Sequence, residues 1–177
     1  QIDRTRLICG IHPDNFSWVL HSGDMLWLPE VIMTYSENGV GKISRNLHKV
    51  IREHICRGKW KNRRRPILIN NWEATYFDFT GEKLIEIAKQ AKSLGIELFA
   101  MDDGWFGNRQ DDSSSLGDWF PNEKKLGCTL KELTERITVE GMEFGIWLEP
   151  EGISEDSNLY RRHPDWVVGI PGRKPCL

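Results

Sequence analysis

Cysteine is scarce in this sequence, and its spacing suggests neither disulfides nor a metal site. The 177 residues include four cysteines, and no pair has the Cys-x-x-Cys spacing. Small secreted domains that depend on disulfides carry many cysteines in a short chain. We therefore expect reduced thiols and a cytoplasmic location.

The sequence also lacks the marks of membrane and nucleic-acid-binding proteins. It contains no run of about 18 apolar residues, the length that spans a bilayer, and Gln1–Arg4 does not resemble a secretory signal. Its formal net charge is −2, whereas binding to phosphates requires a basic surplus. The one basic cluster, at residues 59–65, is interpreted as a solvated linker. We expect no membrane and no nucleic acid among the partners.

Motifs for nucleotides and metals are missing too. No Gly-x-Gly-x-x-Gly follows a predicted strand, and no Asp-x-Asp-x-Asp-Gly loop is present. The five histidines lie apart from the acidic clusters. Adjacent carboxylates such as Asp102 and Asp103 could hold Mg²⁺ or Ca²⁺, but without a matching loop we expect no metal and no cofactor.

Tryptophan, by contrast, is abundant and often lies beside an acidic residue. There are eight tryptophans, and examples with an acidic residue nearby are Asp103-Gly104-Trp105, Asp118-Trp119, Trp147-Leu148-Glu149 and Asp165-Trp166. An aromatic ring packs on the apolar face of a sugar, and carboxylates accept hydrogen bonds from its hydroxyls. The pattern favours a carbohydrate site, while other tryptophans are expected to fill the core.

The hydrophobic pattern divides the chain into three parts. Residues 1–41 contain strand-like runs and are interpreted as the end of an N-terminal β domain. Residues 42–65 hold a connecting helix and a linker, because apolar side chains recur at helical spacing between Lys42 and Arg57. Residues 66–177 alternate strands with helices. The predicted strands of the first part are Leu7–Ile11, Phe16–Leu20 and Met25–Tyr35.

The alternating part predicts an α/β fold with a parallel sheet. Its polar and aromatic motifs follow the strands, as they do at the mouth of a (β/α)₈ TIM barrel. We expect the first three to four β/α units of such a barrel, with an open doubly wound sheet as the alternative. The predicted elements are strands at Ile67–Asn71, Ile96–Met101, Glu143–Leu148 and Trp166–Val168, and helices at Gly81–Leu94, Thr129–Glu140 (with a capping box) and Glu155–Arg162 (capped by Ser154).

Two of the strand ends carry candidate functional residues. Asp102 and Asp103 are adjacent, so their side chains point in different directions and could hold different hydroxyls. After the next strand, Trp147 could wall a sugar pocket. Glu149 and Glu151 could be ligands, an acid/base pair or structural residues, and Asp103 with Glu149 could even be the carboxylate pair of a glycosidase. Sequence spacing leaves these roles open.

Together these segments resemble the α-galactosidases of glycoside hydrolase family thirty-six, in particular the long bacterial type. The resemblance runs along nearly the whole chain, and many separate motifs occur in the same order. They are Gly10-Ile11-His12-Pro13, Phe16-Ser17-Trp18, Pro29-Glu30-Val31, Asn70-Asn71-Trp72-Glu73-Ala74-Thr75, Asp102-Asp103-Gly104-Trp105-Phe106-Gly107, Leu116-Gly117-Asp118-Trp119, Glu149-Pro150-Glu151 and His163-Pro164-Asp165-Trp166.

The resemblance implies an N-terminal β-sandwich domain, then a catalytic (β/α)₈ barrel and then a C-terminal β domain. This chain is expected to contain the end of the β-sandwich domain and the beginning of the barrel. It implies retaining hydrolysis of terminal α-linked galactose, as in melibiose, raffinose and stachyose, without a cofactor.

The resemblance also assigns roles to four side chains. Asp102 and Asp103 match the pair that holds the C4 and C6 hydroxyls of galactose. Trp147 matches a tryptophan that lines the same subsite, and Trp72 matches one at the pocket wall. No catalytic residue is assigned within the chain, because the family's Lys-Trp-Asp or Lys-Tyr-Asp signature of the nucleophile is missing. The nucleophile and the acid/base are expected downstream of Leu177, which leaves Glu149 and Glu151 with structural or indirect roles.

Two other functions stay open at this stage. A galactosyltransferase of the raffinose or stachyose synthase kind shares the barrel and the double displacement but transfers galactose to a sugar. A non-catalytic galactose-binding module keeps the binding residues without the nucleophile. The expected partners are α-galactoside oligosaccharides, and the resemblance implies a homo-tetramer for the full-length protein.

The 177-residue chain, expressed by itself, is predicted to hydrolyse no α-galactoside and to form no stable monomer. A retaining glycosidase needs two carboxyl groups across the scissile bond, and the resemblance assigns neither to this chain. An incomplete barrel also leaves a sheet edge unpaired. Size-exclusion chromatography and a chromogenic α-galactoside check both statements. A monodisperse monomer with the turnover of a complete enzyme would contradict them and would favour Asp103 with Glu149 or Glu151 as the catalytic pair.

Overall fold

Three short strands form a parallel sheet between residues 68 and 146. In the computed structural model, which describes residues 6–14, 16–170 and 172–173, they are β1 (Leu68–Asn70), β2 (Leu98–Met101) and β3 (Glu143–Ile146). The strands lie side by side in sequence order, with a helix in each connection. Parallel neighbours require such crossover connections. The predicted α/β class with a parallel sheet is confirmed.

The predicted helices occur in the predicted order, two short helices that were not predicted lie among them, and the start of the last helix is corrected. They are α1 (Gly39–Val50) followed by a π-helical turn (Ile51–Ile55), α2 (Trp72–Thr75), α3 (Gly81–Ser93), α4 (Glu123–Leu126), α5 (Leu130–Val139) and α6 (Asn158–Arg162). The predicted start of α6 at Glu155 is wrong. Its cap is Ser157, whose hydroxyl accepts the Tyr160 N–H at 3.0 Å. Ser154, the predicted cap, instead accepts the Leu116 N–H, because tertiary contacts hold this segment away from helical geometry.

Two regions predicted as strands are corrected by the structure. A 3₁₀ turn occupies Pro164–Trp166, and no sheet among the described residues includes the predicted fourth strand. The described residues of the segments predicted as strands within residues 7–35 are irregular. A strand needs neighbours that pair with its N–H and C=O groups, and none of the described chain pairs with these segments. That residues 1–41 end a β-sandwich domain stays a prediction.

Contacts between residues divide the chain into two units, Gln1–Arg64 and Arg65–Leu177. Within the first unit, every described residue is exposed or half-buried. Large apolar side chains such as Trp18 and Trp27 are 62% and 84% exposed there. No helix among the described residues of either unit has both the length and the apolar character required to cross a membrane.

The hydrophobic core belongs to the second unit and lies on one face of the sheet. Phe99 and Met101 of β2 are fully buried, in one cluster with Leu84 of α3 and Leu133 of α5. Burying a side chain of this size contributes about 1.5–3 kcal/mol. The predicted apolar stripe of α3 faces this core except for Leu94, which is 82% exposed because it is the C-cap residue at the end of the helix.

The opposite face of the sheet has less cover. Leu68 is 54% exposed, and its cross-strand neighbour Leu98 is half-buried, as is Ala100 two residues further on. Parallel sheets are normally covered on both faces. This face is therefore where further packing is expected.

Helix α5 begins with the predicted capping box. The Thr129 hydroxyl accepts the Glu132 N–H at 3.1 Å, and the Glu132 carboxylate accepts the Thr129 N–H at 2.8 Å. The bond from the Thr129 backbone lowers the pKa of Glu132, and the bond from its hydroxyl lowers it further. A carboxylate with a lowered pKa stabilises the helix above its ordinary pKa, and this contribution is lost as the pH falls through the folded-state value.

Replacing Thr129 by alanine is predicted to loosen the first turn of α5. Losing an N-cap costs about 1 kcal/mol, which corresponds to about a fivefold rise in local opening. Hydrogen exchange of residues 129–134, measured by mass spectrometry in the complete polypeptide, checks this. Thr138→Ala is the matched control, because that hydroxyl donates to the Thr134 carbonyl inside the same helix and caps nothing. Equal exchange in the two variants would contradict the contribution of the cap.

Candidate functional site

The carboxyl ends of β2 and β3 bring two of the predicted site residues together at one edge of the sheet. Met101 lies opposite Ile146, and the Trp147 N–H donates to the Met101 carbonyl at 2.8 Å. The parallel ladder therefore continues for one residue past the strands. Asp102 and Trp147 leave neighbouring strands at the same level.

Two asparagines of the first strand end hold Asp102, which is half-buried. The Asn70 amide donates to Asp102 Oδ2 at 2.6 Å, and Asn71 Oδ1 accepts the Asp102 N–H at 2.8 Å. Asn71 is itself fully buried and donates to the Thr75 hydroxyl at 2.9 Å. The carboxylate thus has a fixed orientation and still reaches solvent. Sequence reasoning gave these asparagines no role, although their position at the end of a buried-type strand was an available signal.

Asp103 has a separate partner, as the alternation of side chains along a strand predicts. Arg109 donates through Nη2 to Asp103 Oδ2 at 2.8 Å and through Nε to Oδ1 at 2.9 Å. This ion pair is nearly buried, with 4% of the arginine side chain and 9% of the aspartate side chain exposed. Sequence reasoning missed Arg109, because no motif links a loop arginine to a carboxylate before it.

A lysine lies next to this ion pair. Lys125 Nζ donates to the Gly104 carbonyl at 2.8 Å and lies 4.4 Å from the centre of the Phe79 ring. Burial lowers the pKa of Lys125, while the charges of Asp103 and Asp78 oppose this shift. Gly104 has φ +96°, and a Cβ there would come within 2.9 Å of the Phe77 ring. The turn after the two aspartates therefore requires glycine.

Trp147 belongs to an aromatic cluster beside the strand ends. Its ring centre is 6.3 Å from those of both Phe106 and Trp119, and the latter two rings are 4.4 Å apart. Trp105 donates its indole N–H to the Trp147 carbonyl at 3.0 Å. Trp147 is half-buried, so part of its surface is free to form a wall of a pocket.

Trp72 lies in a different aromatic group, directly after the end of β1. Its ring makes edge contacts with Tyr76 at 5.2 Å and Phe77 at 5.1 Å. Its backbone N–H donates to Asn70 Oδ1 at 3.2 Å. Trp72 is half-buried, and it shares Asn70 as a hydrogen-bond partner with Asp102.

The long loop after β2, which includes residues 108–122, is ordered by contacts with the segment after β3. Asp118 accepts the N–H groups of Asn158 and Leu159 at 2.9 and 3.1 Å, and so caps α6 from a distance. Ser115 is buried and left-handed (φ +65°), and its hydroxyl accepts the Asn108 N–H at 3.0 Å. Ser115 is therefore part of the ordered structure of the loop.

The two glutamates after β3 lie in a turn. The Gly152 N–H donates to the Glu149 carbonyl at 3.2 Å, and the side chains of Glu149 and Glu151 are half-buried and exposed, respectively. In the part of the chain that the structure describes, no three His, Cys, Asp or Glu side chains come together as a metal site requires.

A match to a known family covers all four predicted site residues, Trp72, Asp102, Asp103 and Trp147. Residues 26–177, most of the chain, match the family model described as Melibiase. The chain belongs to the melibiase family.

Among its relatives in this family are several bacterial α-galactosidases. The chain is 54% identical over 175 residues to the bifunctional α-galactosidase/sucrose kinase AgaSK of Mediterraneibacter gnavus. It is 49% identical over 173 residues to α-galactosidase AgaA of Geobacillus stearothermophilus. The matched regions are 99% and 98% of this chain but 19% and 24% of those proteins. The chain thus spans about a fifth to a quarter of the length of these curated relatives.

Solved structures place the chain within family thirty-six. The crystal structure of the GH36 α-galactosidase AgaB from G. stearothermophilus matches 93% of this chain at 52% identity, with a TM-score of 0.87, and 23% of AgaB is covered. Variants of AgaA, 49% identical to this chain, have been solved in complex with raffinose and with stachyose. The predicted resemblance to family thirty-six is confirmed.

Replacing Asp118 by alanine is predicted to release α6 from the loop. Two charge-assisted hydrogen bonds are lost, each worth about 1.5–3 kcal/mol. Hydrogen exchange of residues 157–162 in the complete polypeptide should therefore rise by about tenfold or more. Asp112→Ala is the matched control, since Asp112 lies in the same loop and is exposed. If Asp118→Ala left this segment as protected as Asp112→Ala does, the remote cap would contribute nothing.

Proposed function

We propose that this chain is part of a retaining α-galactosidase that releases terminal α-linked galactose from oligosaccharides such as melibiose, raffinose and stachyose. The observation that carries the proposal is the strand-end site, where the oriented carboxylate of Asp102 leaves β2 beside Trp147 in a chain 49% identical to AgaA. The complexes of AgaA variants with raffinose and stachyose support this substrate class.

The part of this chain in the reaction is to bind and orient galactose. Asp102 and Asp103 accept hydrogen bonds from the C4 and C6 hydroxyls, and Trp147 and Trp72 offer aromatic walls to the ring. The C4 hydroxyl is axial in galactose and equatorial in glucose. A fixed carboxylate directed at it therefore selects between the two sugars, because the wrong epimer leaves that group unpaired.

The bond-breaking groups lie in another part of the polypeptide in this proposal. Retention requires a nucleophile and an acid/base about 5–5.5 Å apart, and both are aspartates on later strands. Glu149 and Glu151 follow β3 in a turn, one half-buried and the other exposed. We assign them no chemical role in the reaction.

The sheet supports a place at the start of a (β/α)₈ barrel. Its three parallel strands are covered by α3 and α5 on one face, while Leu68 and Leu98 on the other face keep exposed surface. In a barrel that second face points inward and is filled by the remaining strands. Residues 66–177 are then the first β/α units of the barrel.

The proposal is tested by assaying the complete polypeptide that contains this sequence. It is expected to release free galactose from melibiose and raffinose. With excess sucrose as acceptor, free galactose should remain the main product, whereas a synthase would make the longer oligosaccharide. Binding of galactose without any turnover would instead identify a binding module.

Asp102→Ala and Asp103→Asn are predicted to lower kcat/KM on α-galactosides by at least about tenfold each. The reason is the loss of a charge-assisted hydrogen bond worth about 1.5–3 kcal/mol. Steady-state kinetics with a chromogenic α-galactoside measure this. Glu135→Gln, which removes an exposed charge from α5, should behave as wild type. Unchanged kinetics in both aspartate variants would refute the assignment of the pair.

A further inference from the structure

We propose that Arg109 is a positioning residue for galactose recognition, which acts by holding the carboxylate of Asp103 in the orientation that receives a sugar hydroxyl. The inference rests on the proposed function and goes beyond it, since it adds a residue that lies outside the motifs of the family resemblance.

The contact between the two side chains is a bidentate ion pair with little freedom. Arg109 donates three hydrogen bonds to Asp103: Nε to Oδ1 at 2.9 Å, Nε to Oδ2 at 3.1 Å and Nη2 to Oδ2 at 2.8 Å. Both side chains are nearly buried. A planar guanidinium fork bonded in this way fixes the plane of the carboxylate as well as its position.

Arg109 is in turn held from several sides. Its Nη1 donates to the Ser114 carbonyl at 2.7 Å, and its backbone N–H donates to the Phe106 carbonyl at 3.2 Å. The guanidinium carbon lies 5.8 Å from the Phe77 ring centre and 5.9 Å from that of Phe106. These contacts hold the guanidinium in one arrangement. The orientation of the Asp103 carboxylate therefore depends on the conformation of the loop that carries Arg109.

The ion pair leaves Asp103 able to bind a sugar. An ionised carboxylate has about four acceptor positions, and Arg109 occupies three of them. The free position is on Oδ1, which accepts one of the three hydrogen bonds. Asp103 can therefore receive one hydroxyl while it stays paired, and the direction from which that hydroxyl must approach is set by the arginine.

A buried ion pair also stabilises the fold, so the experiment must separate the two roles. If Arg109 acts through Asp103, its removal should cost little more once Asp103 has already been changed. If it acts only on stability, its removal should leave the inhibition constant of the folded protein unchanged. If it acts on the sugar independently of Asp103, the effects of the two substitutions on galactose binding should multiply. A double-mutant cycle distinguishes these cases.

The cycle uses Arg109→Gln, Asp103→Asn and the double variant of the complete polypeptide. Competitive inhibition by D-galactose gives the inhibition constant, and hydrolysis of a chromogenic α-galactoside gives kcat and KM. We expect each single variant to raise the inhibition constant for galactose by about tenfold or more. The double variant should fall within about twofold of Asp103→Asn. Arg136→Gln, which breaks an exposed pair with Glu82, is the matched control and should leave the inhibition constant unchanged.

Arg109→Lys keeps the experiment decisive if the glutamine variant does not fold. Lysine retains the positive charge but not the planar fork of hydrogen-bond donors, so galactose binding should weaken by several-fold when Asp103 is present. The same substitution made in the Asp103→Asn variant should not weaken galactose binding further. A wild-type inhibition constant in Arg109→Lys and Arg109→Gln, or a multiplicative effect in the double variant, would overturn the inference. A wild-type protein that neither binds galactose nor hydrolyses α-galactosides would overturn the proposed function, and the positioning role with it.

Discussion

The parallel register of β1, β2 and β3 determines where the proposed sugar-binding side chains lie. Met101 is opposite Ile146, and the ladder reaches Trp147, so Asp102 and Trp147 emerge together. This register is fixed by packing, because Phe99 and Met101 must face α3 and α5 to be buried. A slip of β2 by one residue would turn both toward the open face. The same hydrophobic contacts that stabilise the unit therefore also align the site.

The loop after β2 is held in a fixed position beside the strand ends by several contacts. Arg109 connects the loop to Asp103, Asp118 connects it to the start of α6, and Trp119 packs against the aromatic cluster of Trp147. The Ser115 N–H also donates to the Asp156 carbonyl at 2.8 Å. A segment with this many fixed contacts keeps its shape without a ligand, which reduces the entropy lost when a sugar binds.

The two aspartates after β2 are oriented by different chemistry. Asp102 is held by a neutral amide, that of Asn70, and remains partly exposed. Asp103 is held by a cation and is almost buried. An amide positions a carboxylate without neutralising it, whereas a guanidinium compensates the cost of burying the charge. In the proposed site the pair thus presents two acceptors of different exposure to the C4 and C6 hydroxyls of one galactose.

Local patterns in the sequence were sufficient for much of this fold. The apolar stripe of α3, the capping box of α5 and the order of strands and helices follow from periodicity and from interactions within four residues. The motifs after the strands indicated Asp102, Asp103, Trp72 and Trp147 as candidate site residues, and the motifs along the chain indicated the family to which it belongs. These features depend on neighbours along the chain, and a sequence records such neighbours directly.

Contacts between distant segments were decided only by the tertiary structure. Asn71 meets Asp102 across 31 positions, and Asp118 caps α6 across 40. Ser154 looked like a helix cap but bonds to Leu116, across 38 positions. Arg109 lies six residues from Asp103, a separation set by the path of the loop and not by any repeat. Such partners depend on where the folded chain returns in space, and no periodicity of helix or strand specifies that.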